Sequence, residues 1–204
     1  MKLFFHPLSS FSWKALIALY EARLDFEPVV VNFGDPASAD AFRAAWPIGK
    51  IPAFQEGDRT IGEATIIIER IDQIASAGLL PSDETERLDV RLWDRVFDNY
   101  VHHPMQDIVA DVLRPVDKRD PFSVEQARGK LRQIYPFIDR HLTGREWCVG
   151  SAFSMADISA CPALLYANAI EPIGPECEAL RAYLERLQTR PSRGSSIIRW
   201  SASP

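Results

Sequence analysis

The chain has 204 residues, enough for one large domain or two small ones with a core in each. Apolar residues make up 47% and charged residues 25%, the balance of a soluble globular protein and not of a disordered or membrane-embedded one. The net charge of -5 leaves no excess of Lys and Arg to face phosphate, which argues against a nucleic-acid partner. Residues 2–6 read as a short strand. The apolar run there breaks at His6 and Pro7, too early for a signal peptide, and no later run nears the ~18 residues of a membrane span. Residues 7–10 form a turn. From 12 to 23 the spacing is helical, with Trp13, Leu16, Ile17 and Tyr20 on one face. The run FEPVVVNF is a second strand, and Pro28 marks it as an edge strand. Residues 37–45 are helical. Residues 51–55 and 59–61 are strands joined by a hairpin at Glu56-Gly57-Asp58, and 64–77 is a helix fading at Gly78. The order is β-α-β-α-β-β-α.

Composition changes at SAGLLPSDET, a linker near 78–83, and no convincing strand follows. Helices are expected near 84–113, 124–142, 155–168 and 176–189, with kinks or distortions at Pro136 and Pro162. Three capping boxes are expected: Asp83 with Glu86, Ser123 with Gln126, and Ser154 with Asp157. Cys148, Cys161 and Cys177 are odd in number and include no CxxC pair. They fit core positions in a reducing cytoplasm, with no disulfide framework and no zinc site.

Two local patterns point to chemistry. Leu8-Ser9-Ser10-Phe11-Ser12 sets three hydroxyls at a helix start, where unpaired N–H groups and the macrodipole favour an anion; the same serines would also serve as ordinary helix caps. Glu63 stands alone where an apolar helix begins, a place that favours a carboxylate in any protein.

Five stretches in order resemble the soluble glutathione transferase family: HPLSSFSWKALIAL, WPIGKIPAF, GEATIIIERI, GSAFSMADISA and YLERLQTRPS. The resemblance covers nearly the whole chain. It implies a thioredoxin-like α/β domain over 1–80 and an all-α domain over 84–204. It further implies a cytoplasmic homodimer that conjugates glutathione to a small hydrophobic electrophile, with no metal. In the family the small domain of one chain packs on the helical domain of the other. By position in the motif, Ser9 would donate to the glutathione thiolate, with Ser10 as a neighbour that could take or support that role and Ser12 a third candidate. Pro52 matches the family's cis-proline. It would expose the backbone of Ile51 to pair with the cysteinyl main chain of glutathione, as one more strand. Lys50 would meet the glycyl carboxylate.

Glu63 would receive the γ-glutamyl ammonium. The N–H of Ala64 would hold the γ-glutamyl carboxylate, without the hydroxyl that the family's serine supplies there. Trp46 stands where the family has Asn. The electrophile would lie between the serine turn and the second domain, whose long helix offers Tyr100, His102, His103, Met105 and Val109 as a wall. SSxSW resembles the zeta class, whose cysteine is replaced by Phe11. A zeta-type glutathione-dependent isomerase and a non-catalytic glutathione-transferase-like binding or adaptor protein are therefore the alternatives.

Overall fold

The computed structural model describes residues 1–190. The chain divides into two compact units: 1–80 together with Arg190, and Pro81–Thr189. Pro191, with the rest of the expected second domain to residue 204, lies outside the described residues.

The first unit runs β1 (Lys2–Phe5), α1 (Ser10–Glu21), β2 (Glu27–Val30), α2 (Pro36–Ala45), β3 (Ala53–Glu56), β4 (Arg59–Ile61) and α3 (Ala64–Ala75). This is the order expected from the sequence. The sheet order is β2-β1-β3-β4; β1 is parallel to β2 and antiparallel to β3, and β3 is antiparallel to β4. Pro28, which lacks an N–H, sits on the edge strand β2, opposite Leu3. Period-2 alternation then divides β1 between two faces. Leu3 and Phe5 are fully buried, as are Leu19 of α1 and Ile67, Ile68 and Ile71 of α3. Phe4 turns the other way and meets Phe42 of α2, ring centroids 5.6 Å apart. There Val31, Phe42 and Ala53 form a small cluster covered by Phe4, Trp46 and Ile51.

The second unit is helical: α4 (Glu84–Val96), a π-helical turn (Phe97–His102), α5 (His103–Val112), a 3-10 turn (Val116–Lys118), α6 (Pro121–Leu142), α7 (Met155–Ile170) and α8 (Glu178–Thr189). The single helix expected over 84–113 is thus interrupted by one wide turn. Pro136 and Pro162 lie inside α6 and α7.

The capping boxes fare differently. Ser154 and Asp157 form theirs at the start of α7. The buried Asp157 carboxylate accepts from the N–H groups of Ser154 and Cys148, each at 2.8 Å, and from the Tyr183 hydroxyl at 2.5 Å. Burial pushes this carboxyl above its usual range, although its donors pull the other way. Asp83 caps α4 by accepting from the Glu86 N–H at 2.9 Å, but the Glu86 carboxylate lies beside Gly150. The Ser123 box does not form. Asp120 caps α6 instead, accepting from the N–H groups of Phe122 and Ser123, and Pro121 supplies the first turn with a pre-set φ. The helix therefore starts earlier than its apolar spacing suggests.

Candidate active site

The turn before α1 is pinned at three points. The Ser9 N–H donates to the His6 carbonyl at 2.9 Å, the Trp13 indole N–H to the Pro7 carbonyl at 2.7 Å, and the His6 N–H to Ser12 Oγ at 3.4 Å. Ser9 is the N-cap, its Oγ accepting from the Ser12 N–H at 3.2 Å. That hydroxyl starts α1 at Ser10, two residues before the apolar periodicity begins. Burial separates the three serines: Ser10 and Ser12 are 5% and 0% exposed, whereas Ser9 is half-buried. Ser9 Oγ accepts this one bond and donates none among the described residues, so its proton is available for donation at a helix N-terminus.

Beside this turn stands the start of β3. The Ile51–Pro52 peptide bond is cis, Ile51 is half-buried and Pro52 buried. Neither the N–H nor the C=O of Ile51 has a backbone partner among the described residues. Lys50 is exposed.

The third component is the start of α3. Glu63 is the N-cap and is exposed, with φ 63 and ψ 111. A left-handed φ at a residue with a side chain costs on the order of 1–3 kcal/mol and persists only where neighbours impose it. Its side chain makes no capping bond to its own helix. Its carbonyl accepts from the Ile67 N–H at 2.9 Å, and Ala64 follows, buried. Helices α1 and α3 pack together. Lys14 is fully buried between them, its Nζ 3.5 Å from Thr65 Oγ1 and 5.7 Å from the Phe11 ring centroid.

Sequence reasoning overlooked two residues here. Lys14 lies on the buried stripe of α1 with Ile17 and Ala18, and a cation at that spacing was the signal. Trp46 was noted as a departure, but its contact was not foreseen. A Cβ built on Gly62 would lie 2.7 Å from Trp46 Cε2 and 3.0 Å from its Nε1.

The residues expected to line the electrophile wall separate. His102 and Met105 are 0% and 2% exposed, within the core of the second unit. They cannot line an open wall; His102 instead faces Asp98, Nδ1 to Oδ1 at 3.4 Å. Neighbouring residues on a helix point in different directions, and the π turn shifts the register further. Val109 is half-buried. Tyr100 and His103 are exposed and share a groove of about 1040 Å³ with Pro104, Lys130, Phe137 and Arg140.

Comparison with known proteins identifies the family of the chain. Residues 3–79 match the model "Glutathione S-transferase, N-terminal domain", and residues 101–191 match "Glutathione S-transferase, C-terminal domain". Glutathione S-transferase 3 of Zea mays is 31% identical over 206 residues, spanning 94% of this chain and 90% of that protein. The chain belongs to the glutathione S-transferase family. Another relative, maleylacetoacetate isomerase of Rattus norvegicus, is 28% identical over 160 residues, spanning 76% of this chain and 72% of that one. A glutathione S-transferase from Methylobacillus flagellatus, solved with glutathione bound, superposes with a TM-score of 0.87 at 25% identity. That match covers 96% of this chain and 98% of the other. The fold expected from the sequence, a thioredoxin-like unit followed by a helical one, is therefore that of a glutathione S-transferase. Among the described residues no helix is long and apolar enough to cross a membrane.

Proposed function

We propose that this family member is a glutathione transferase in which the Ser9 hydroxyl, at the N-terminus of α1, donates to the sulfur of bound glutathione. A free thiol titrates near ~8.5, and a donor plus a helix N-terminus favours its thiolate at neutral pH. The thiolate then attacks a small hydrophobic electrophile. With an aromatic halide the sulfur–carbon bond forms as the carbon–halogen bond breaks, the halide leaves with that bond's electron pair, and the thiol proton passes to solvent. The observation that carries the reading is the half-buried Ser9 Oγ, which accepts from the Ser12 N–H and, among the described residues, has no acceptor for its own proton. Ser10 stands beside it as the alternative donor.

The rest of the ligand is assigned to the neighbouring elements. The Ile51 N–H and C=O pair with the cysteinyl main chain just before Pro52, and Lys50 meets the glycyl carboxylate. Glu63 takes the γ-glutamyl ammonium, and the Ala64 N–H takes the γ-glutamyl carboxylate. The electrophile is assigned to Tyr100 and His103. Tyr100→Ala should then raise KM for an aromatic halide while leaving KM for glutathione within about twofold. Equal KM values for the halide in both proteins would remove Tyr100 from the site.

A zeta-type isomerase is the second reading, favoured by SSxSW and by the rat relative. The deciding experiment offers the pure protein immobilised glutathione, a generic aromatic halide and a cis-alkene diacid. Conjugation of the halide supports the transferase, and turnover of the diacid supports the isomerase. Retention on glutathione without turnover supports a binding protein.

A further inference from the structure

We infer that Trp46 is a positioning residue for Glu63: its indole, packed on Gly62, holds the left-handed backbone that aims the Glu63 carboxylate. The inference rests on the reading that Glu63 receives the γ-glutamyl ammonium, and it names what sets that group in place.

The indole is anchored before it reaches Gly62. Trp46 ends α2, its N–H donating to the Phe42 carbonyl at 2.8 Å, and its own carbonyl accepts from the Gly49 N–H at 2.9 Å. Its ring packs on the cluster of Val31, Phe42 and Ala53, which Ile51 also covers. With its backbone tied at both sides and its side chain packed on that cluster, the ring has little freedom to move. Gly62, buried, lies against the same ring, so close that no side chain fits. The next residue is Glu63, at φ 63 with no capping bond from its side chain. That backbone is disfavoured for glutamate, so a neighbour must impose it. Trp46 is the side chain in closest contact with the preceding residue. Ile51, assigned to the cysteinyl main chain, and Glu63, assigned to the γ-glutamyl end, therefore share one support. Trp46 stands where the resemblance leads one to expect a much smaller asparagine, so the contact is a feature of this chain.

A purely structural tryptophan would alter stability alone. A positioning tryptophan must act through the Glu63 charge, and the two can be told apart by coupling. Calorimetric titration with glutathione is run on wild type, Trp46→Ala, Glu63→Gln and the double variant, with thermal melts of each. The same proteins are titrated with the des-amino analogue, in which a glutaryl group replaces γ-glutamyl. Glu63→Gln should weaken glutathione binding about tenfold or more. Trp46→Ala should weaken it severalfold, and the double variant should bind within about twofold of Glu63→Gln alone. The des-amino analogue should bind wild type and Trp46→Ala within about twofold of each other. Should Trp46→Ala fail to fold, Trp46→Phe perturbs the same contact more gently and should show the same dependence on the ligand's amine. Losses that multiply in the double variant, or that persist with the des-amino analogue, overturn the Trp46 role and leave that of Glu63 standing. Unchanged glutathione binding by Glu63→Gln overturns both.

Discussion

At the scale of single residues, the candidate site rests on which polar atoms remain available for a ligand. Glu63 is exposed and makes no capping bond, so its negative charge is available to a bound ammonium. Glu63→Gln keeps the shape and removes the charge, and truncating one member of a desolvated charged pair costs about 2–5 kcal/mol. Glutathione affinity measured by calorimetry should fall accordingly, with the melting temperature nearly unchanged. Ala64→Ser acts in the opposite direction. It returns a hydroxyl to the helix start and should tighten binding by about 0.5–1.5 kcal/mol in the same titration, or about two- to tenfold. Ser9, Ile51 and Glu63 were legible in the sequence because each belongs to a short continuous motif. The roles of Lys14 and Trp46 were not, because their partners, Thr65 and Gly62, lie far away along the chain. His102 and Met105 were misjudged for a different reason. A plain helical register was assumed across a segment that contains a π turn.

At the scale of elements, helix termini account for much of the second unit. Asp157 gathers the Cys148 and Ser154 N–H groups and the Tyr183 hydroxyl in a buried place. Asp157→Ala leaves those donors unpaired and should lower stability by about 2–4 kcal/mol in denaturant unfolding, whereas Asp157→Asn keeps one acceptor and should lose less. This box could be read from the sequence because Ser154 and Asp157 directly precede an apolar run. The start of α6 could not, since Asp120 and Pro121 outcompete the Ser123–Gln126 pair that carries the same signature. Between α4 and α6, His141 stacks on Trp93 with centroids 3.8 Å apart, and its Nε2–H donates to the Cys148 carbonyl at 2.7 Å. Burial lowers its pKa, partly offset by the bond to Cys148. The unfolded chain therefore takes up this proton at higher pH than the folded one. The stability linked to His141 is complete above the ordinary histidine value of about 6.5 and is lost as pH falls through the lower folded value. Thermal melts from about pH 7.5 to about pH 5.5 should decline more steeply for wild type than for His141→Gln, which has no titrating ring.

At the scale of the whole molecule, the order of strands and helices was legible because each element carries its own periodicity and turn residues. Assembly is not written in any such pattern. Leu88 and Leu92 are 67% and 54% exposed one turn apart on α4. An apolar stripe of that kind suits a self-complementary contact between two copies. Light scattering should give about twice the 23.0 kDa chain mass, and a monomer at micromolar concentration would remove the dimer from this account. The central claim is that the N-terminus of α1, through Ser9, holds glutathione as its thiolate. Titrating the ultraviolet absorbance of the bound thiolate against pH, in wild type and in Ser9→Ala, tests it most directly. The account predicts a bound thiol pKa clearly below the free value of about 8.5 in wild type, displaced upward by about one unit or more in Ser9→Ala. The same low pKa in both proteins would contradict it.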